Sequence, residues 1–163
     1  EPLTVLFDVP RDRASLRYAG LAVGQARADA AAVMAAHAQA VAGLEGTDWN
    51  PADFIGQLHE AWRRLGGGWV PVGDLLPELA FLRQPQAWRR EPTPAHAHPY
   101  PRVQLAYDLH RLRRDRVLSH AGARLTLAPA TGGSRRNKYA TLWVEGGSGQ
   151  GAWMHLLRFE SDD

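Results

Sequence analysis

The chain's one lysine, Lys138, follows Arg135, Arg136 and Asn137 in the stretch Thr131–Tyr139, "TGGSRRNKY", while the whole sequence holds eighteen arginines. Three cations without a carboxylate make a site for a polyanion. Guanidinium and ammonium groups neutralise phosphates, and Ser134 and Asn137 can donate to phosphate oxygens. Solubility explains such a cluster poorly, because acidic residues serve it better; a plain polar turn is the alternative. A second constellation lies upstream. At about 100° per residue along a helix, Leu105, Leu109 and Leu112 share one side, and Gln104, Tyr107, Arg111 and Arg114 share the other. An outward stripe of this kind suits groove reading: Arg for guanine edges or phosphate, Gln for adenine, Tyr for backbone or stacking. Asp108 and Asp115 flank it and lie within pairing reach of Arg111. A charge stripe by itself is more often a solvated face, but this one accompanies a basic turn.

Other chemistry is sparse. His96 and His98 stand two apart, as some metal sites require, but no third ligand has a definite spacing, so they read as loop histidines. His59 and Glu60 lack the His-Glu-x-x-His pattern. His110 and His120 lie on or just after the basic helix, and His155 reads as a core residue alternating with Trp153 and Leu157. Ser134 is not in a Gly-x-Ser-x-Gly context, and "GGSGQG" at 146–151 lacks the Lys-Ser/Thr end of a phosphate loop. Glu45 and Asp48 have no partner acid or base. No catalytic residue, metal ligand or cofactor is expected, and the chain reads as a binding protein rather than an enzyme.

The elements that must position these residues follow from pattern. A length of 163 residues suits one medium domain, or a small domain with an arm. The absence of cysteine excludes disulfide scaffolds and thiol chemistry and fits a cytoplasmic protein. No apolar run is long enough to span a bilayer, so no membrane partner is expected. The first residue is Glu1 rather than Met, so the sequence reads as trimmed or partial. Net charge is +2, but it is segregated: −4 over residues 1–60, +9 over 61–158 and −3 over 159–163. A basic body with acidic ends fits a polyanion such as nucleic acid.

Leu3 to Val9 alternates as a strand stopped by Pro10. An alanine-rich helix is expected from about 15 to 45, with Val33, His37, Val41 and Leu44 at helical spacing. It suits either an intramolecular scaffold or a homodimer arm, giving an N-terminal unit over 1–48 and a second unit over 49–163. In the second unit Asn50 caps a helix with Pro51 and Asp53 in its first turn. Its buried stripe is Phe54, Ile55, Leu58, Trp62 and Leu65. "WVPV" is a short strand, "GDLLPELAFL" a second helix, 83–101 an irregular loop, and "RVQLAYDLHRLRRDRVL" a third helix. "ARLTLAP" and "YATLWVEGG" flank the basic turn as a β-hairpin, and "GAWMHLLRF" is the last strand.

This order, helix, short strand, helix, helix and basic hairpin, resembles a winged helix-turn-helix domain over Asn50 to about Val144. The resemblance implies an α+β fold binding double-stranded DNA, with the third helix in the major groove and the hairpin as a wing on the flanking backbone. Gln104, Tyr107, Arg111 and Arg114 would contact the groove, and Arg135, Arg136, Asn137 and Lys138 the phosphates. The pattern departs in one place: about eighteen residues separate the second and third helices, where three or four are usual. Arg89 and Arg90 in that insertion would add phosphate contacts. Three other readings compete: a winged helix used as a protein-interaction module, single-strand binding on Trp143 and Trp153, and a metal enzyme centred on His96 and His98.

Overall fold

The computed structural model describes residues 3–46, 48–133, 139–146 and 150–161. Three antiparallel strands open the chain: β1 (Leu3–Asp8), β2 (Arg13–Tyr18) and β3 (Leu21–Arg27), hydrogen-bonded in the order β1-β2-β3. The expected helix from about residue 15 is therefore corrected over its first half. Ala14, Leu16 and Tyr18 are buried while Arg13 and Arg17 are exposed, a period of two that alanine content masks. Ala19 and Gly20 take positive φ values of 52° and 77°, the two-residue turn that joins twisted strands. The helix α1 (Ala30–Glu45) begins only where Asp29 accepts a hydrogen bond from Ala32 N at 2.9 Å. It packs on β2 and β3, burying Ala40 and Leu44, and leaves Ala31, Met34, Ala35, Ala38 and Ala42 exposed.

Helix α2 (Pro51–Arg64) starts as expected: Asn50 Oδ1 accepts from Ala52 N and Asp53 N at 3.0 and 3.3 Å. It buries Phe54, Ile55, Leu58 and Ala61; Trp62 is half-buried and Leu65 is exposed at the helix end. Strand β4 (Val70–Pro71) and helix α3 (Leu75–Leu82) follow. The connection to the next long helix is more ordered than expected, holding α4 (Gln86–Arg90) and a turn of 3₁₀ helix at Pro94–His96. Gln84 fastens its far end. Its amide donates to the Ala80 and His98 carbonyls, both at 2.8 Å, and accepts from His98 N at 2.9 Å. A single side chain thus supplies backbone-like pairing that lets the long insertion return to α5 (Arg102–Arg114).

The second sheet is built around one strand. β5 (Ser119–His120), β6 (Ala123–Pro129), β7 (Leu142–Glu145) and β8 (Gly151–Ser161) join β4 in the order β4-β8-β6-β5, with β7 also paired to β8. Met154 faces Pro129 of β6 on one edge of β8 and Leu142 of β7 on the other. The expected hairpin of β6 and β7 around the basic turn is therefore corrected. These strands do not pair with each other: β6 lies on one edge of β8 and β7 on the opposite one. The hairpin pairs β7 with β8, and Gly146 N donates to the Gln150 carbonyl at 2.6 Å beyond the last paired residues. A register shift at Ala128/Pro129 makes His155 the extra residue of β8. Met154, Leu157 and Phe159 are buried, and His155 is only half-buried. The expected alternation of Trp153, His155 and Leu157 ends at this bulge.

The described chain is α+β, with five α-helices and two sheets. Tyr18, Ala19 and Leu44 from the N-terminal elements share one buried cluster with Leu58, Leu79, Leu109, Val144 and Leu157. Among the described residues, no helix is long and apolar enough to cross a membrane.

Gly73, between β4 and α3, fixes where the backbone of Tyr139 lies. A Cβ there would overlap the Tyr139 carbonyl, which also accepts from Arg102 Nη1 at 2.9 Å. Gly73→Ala is expected to lower stability by about 1–3 kcal/mol in urea denaturation, as overpacking against fixed backbone does. Gly132→Ala, with no neighbour among the described residues within 4 Å of its added carbon, is expected to stay within about 0.5 kcal/mol of the parent. Equal losses for the two would refute the account of Gly73.

Candidate nucleic-acid interface

Helix α5 carries the stripe that the sequence directs outward, and it is covered on both long faces. Leu105, Leu109 and Leu112 are buried, as their spacing predicts. On the other side Asp108 is 0% and Arg111 4% exposed, closed over by the end of α1 and by Trp49. Asp108 accepts from Tyr100 Oη at 2.8 Å, from Gln104 Nε2 at 2.9 Å and from Arg111 Nη2. Arg111 Nη1 donates to the Glu45 carbonyl at 2.6 Å, and its guanidinium lies 3.8 Å from the centre of the Trp49 ring. Gln104 Nε2 also donates to the Leu44 carbonyl at 2.9 Å. Tyr107 is half-buried and meets Tyr18 edge-on at 5.3 Å between ring centres.

The outward orientation expected of Gln104, Tyr107 and Arg111 is thus corrected. These side chains turn toward the N-terminal elements and hold them. Arg114 is different: its side chain is 50% exposed and pairs with Asp115 at 2.9 Å. That hydrogen bond, ahead of every other influence, raises the Arg114 pKa. Asp115 in turn accepts from Trp49 Nε1 at 2.9 Å, so the indole that stacks on Arg111 is tied to the same helix. Arg113 and His110 face β7: Arg113 Nη1 donates to the Glu145 carbonyl at 3.5 Å, and His110 Nδ1 lies 3.6 Å from Glu145 Oε2.

Arg135, Arg136, Asn137 and Lys138 lie outside the described residues. The flanks of their segment are fixed: Ala130 N donates to the Trp153 carbonyl at 2.7 Å, and Tyr139 is held at Gly73 and Arg102. Trp143 and Trp153 are cross-strand neighbours on β7 and β8. Arg89 Nη2 donates to the Leu82 carbonyl at 2.5 Å, while Arg90 is exposed. His96 Nδ1 lies 3.2 Å from Thr93 Oγ1, and His98 is engaged through its backbone by Gln84. Among the described residues no group of three or more His, Asp or Glu side chains is placed to hold a metal ion. Sequence reasoning missed Trp49 and Tyr100, the two aromatic groups that close the polar face of α5. The signal available was Asp108 itself, an acid inside an arginine stripe.

Two measurements check the buried pairing. Asp108→Ala strands a buried guanidinium and is expected to cost about 3–5 kcal/mol in urea denaturation. The double variant Asp108→Ala/Arg111→Met is expected to cost less than the sum of its single changes, and additive costs would contradict the coupling. Burial, and then the Asp108 carboxylate beside it, push the Tyr100 hydroxyl well above its ordinary pKa. A pKa raised on folding stabilises fully below the unfolded value and is lost as pH rises past it. The parent is therefore expected to lose stability above about pH 10. Tyr100→Phe, though less stable at neutral pH, is expected to show a flatter alkaline decline, and an equally steep decline would contradict this assignment.

In comparison with known proteins, no family model, no curated protein and no solved structure matches this chain.

Proposed function

We propose that this protein binds nucleic acid through the sugar-phosphate backbone, on a winged-helix core whose groove-facing helix has been closed. The observation that carries this reading is the sheet order. Helices α2, α3 and α5 are interleaved with β4 and followed by β6 and β8, and β8 lies between β4 and β6. In the fold that the sequence resembles, the connection between the last two of these strands is the wing on the phosphate backbone. Here that connection contains Arg135, Arg136, Asn137 and Lys138, with β7 inserted after them. The segregated positive charge of residues 61–158 supports the same partner.

The burial of Arg111 and the engagement of Gln104 and Tyr107 argue against base reading by α5. Of the original stripe, Arg114 remains as a phosphate contact at the exposed end of the helix, beside Arg116. Recognition in this reading is electrostatic and indifferent to duplex sequence.

Anisotropy titrations of a random-sequence duplex at several salt concentrations test it. Binding by the parent is expected to fall steeply with salt. Arg135→Glu/Arg136→Glu is expected to weaken binding to every duplex and to reduce the slope of log K against log salt by about 2. Affinity that is unchanged at all salt concentrations would remove the wing from the mechanism.

A further inference from the structure

We infer that the cleft between the β7–β8 hairpin and the β2–β3 turn is a site for one unpaired nucleotide, its base against Trp143, Trp153 and Tyr139 and its phosphate toward Arg102. The cleft has a volume of ≈ 380 Å³, with Gly20 and Leu21 on its rim and these four side chains around it. That size is in the range of small-ligand sites.

Its floor is built rather than incidental. Trp143 and Trp153 are cross-strand partners, and Gly151 is the diagonal neighbour of Trp143 on the same face. A Cβ on Gly151 would overlap the Trp143 ring, so the glycine lets the indole lie against the β8 backbone. Tyr18 braces the same ring edge-on, at 6.5 Å between centres and 89° between planes. The walls are open: Tyr139 is 73% and Trp153 39% exposed. Large ring faces in water beside a fixed indole form a stacking platform.

Arg102 decides the kind of ligand. Its Nη1 is occupied by the Tyr139 carbonyl, and its Nη2 is buried without a hydrogen-bond partner among the described residues. An unmet guanidinium donor is costly to bury, and an anionic oxygen would satisfy it. Desolvation lowers the pKa of this arginine, in line with its partly enclosed position. A cationic ligand, which aromatic rings alone would favour, is repelled by the guanidinium. An aromatic ring joined to a phosphate satisfies both features. The cleft admits a base that is out of its pair, because a paired base within a stack cannot present its face to these rings. The strand as source of the nucleotide rests on the nucleic-acid reading above; a free nucleotide offers the same chemistry.

The test uses the full chain and two probes: a labelled eight-residue oligothymidylate followed by anisotropy, and adenosine 5′-monophosphate followed by calorimetry, with the blunt duplex as control. Trp153→Ala is expected to weaken single-strand binding about tenfold or more while leaving duplex affinity within about twofold. Arg102→Gln is expected to weaken both probes, and Trp153→Phe to retain binding in a protein with parental melting behaviour. Mononucleotide binding that depends on Trp153, with no polymer bound, would support the cleft, make the free nucleotide its ligand and sink the nucleic-acid reading. Single-strand binding that ignores Trp153 and Arg102 but is lost in Arg135→Glu/Arg136→Glu would overturn the cleft and keep that reading. Failure of both probes to bind the parent protein, with duplex binding intact, would also overturn it.

Discussion

The ion pair of Asp108 with Arg111 is the interaction on which the arrangement of this protein depends. Removing both charges from water is expensive, and such a pair is tolerated only when further hydrogen bonds satisfy its remaining groups. Asp108 receives donors from Tyr100 and Gln104 as well as Arg111. Arg111 in turn donates to the carbonyl of Glu45, and Gln104 to that of Leu44. These carbonyls belong to the last turn of α1, where helix geometry leaves the carbonyl groups without intrahelical donors. That turn has no basic residue of its own. Arg111 supplies the cation that the negative end of α1 favours, so α5 caps α1 from outside and the N-terminal elements are held by a helix end.

This arrangement explains why the sequence was legible for some elements and misleading for one face. Helix α2 is written in local signals, an Asn50 cap, a Pro51 first position and an apolar stripe, and those signals act within a few residues. Helices α3 and α5 have no side-chain cap and are legible from the spacing of their apolar residues instead. The polar face of α5 obeys no local rule. Gln, Tyr and Arg on one side of a helix have the same chemistry whether they meet a DNA groove or a second helix, and what separates the two is Trp49 and the end of α1, far away in sequence. The alanine-rich stretch before α1 failed differently. Intrinsic helix preference there is worth a fraction of a kcal/mol per residue, and cross-strand pairing of β2 with both β1 and β3 overrides it.

Strand β8 imposes the other organising constraint. Because β6 and β7 occupy opposite edges of it, they are not the two arms of one hairpin, and the described residues flanking the basic segment are tied down. One flank ends at the carbonyl of Trp153, and the other begins at Tyr139, over Gly73 and against Arg102. The described residues on either side of the basic segment therefore lie against β8, at Ala130, and at the edge of an aromatic cleft, at Tyr139. Neither feature could be seen from the other without the pairing of β8.

The two constraints together bear on specificity under the proposed nucleic-acid function. Phosphate contacts position a nucleic acid without identifying it, and identification requires that some side chains reach the bases. In a winged helix that role falls to the helix which here has its polar face sealed against α1. Reopening it would strand Asp108 and Arg111, so groove reading is in direct conflict with the core of this molecule. In the proposed function base contact is left to surfaces beside the sheet, where ring faces are exposed and one guanidinium nitrogen, Arg102 Nη2, has no partner among the described residues. Such a surface discriminates by whether a base is free to stack rather than by the edge it presents. In the proposed function, the residues that resembled a reading head hold α1 instead, and recognition falls to nucleic-acid structure rather than to sequence.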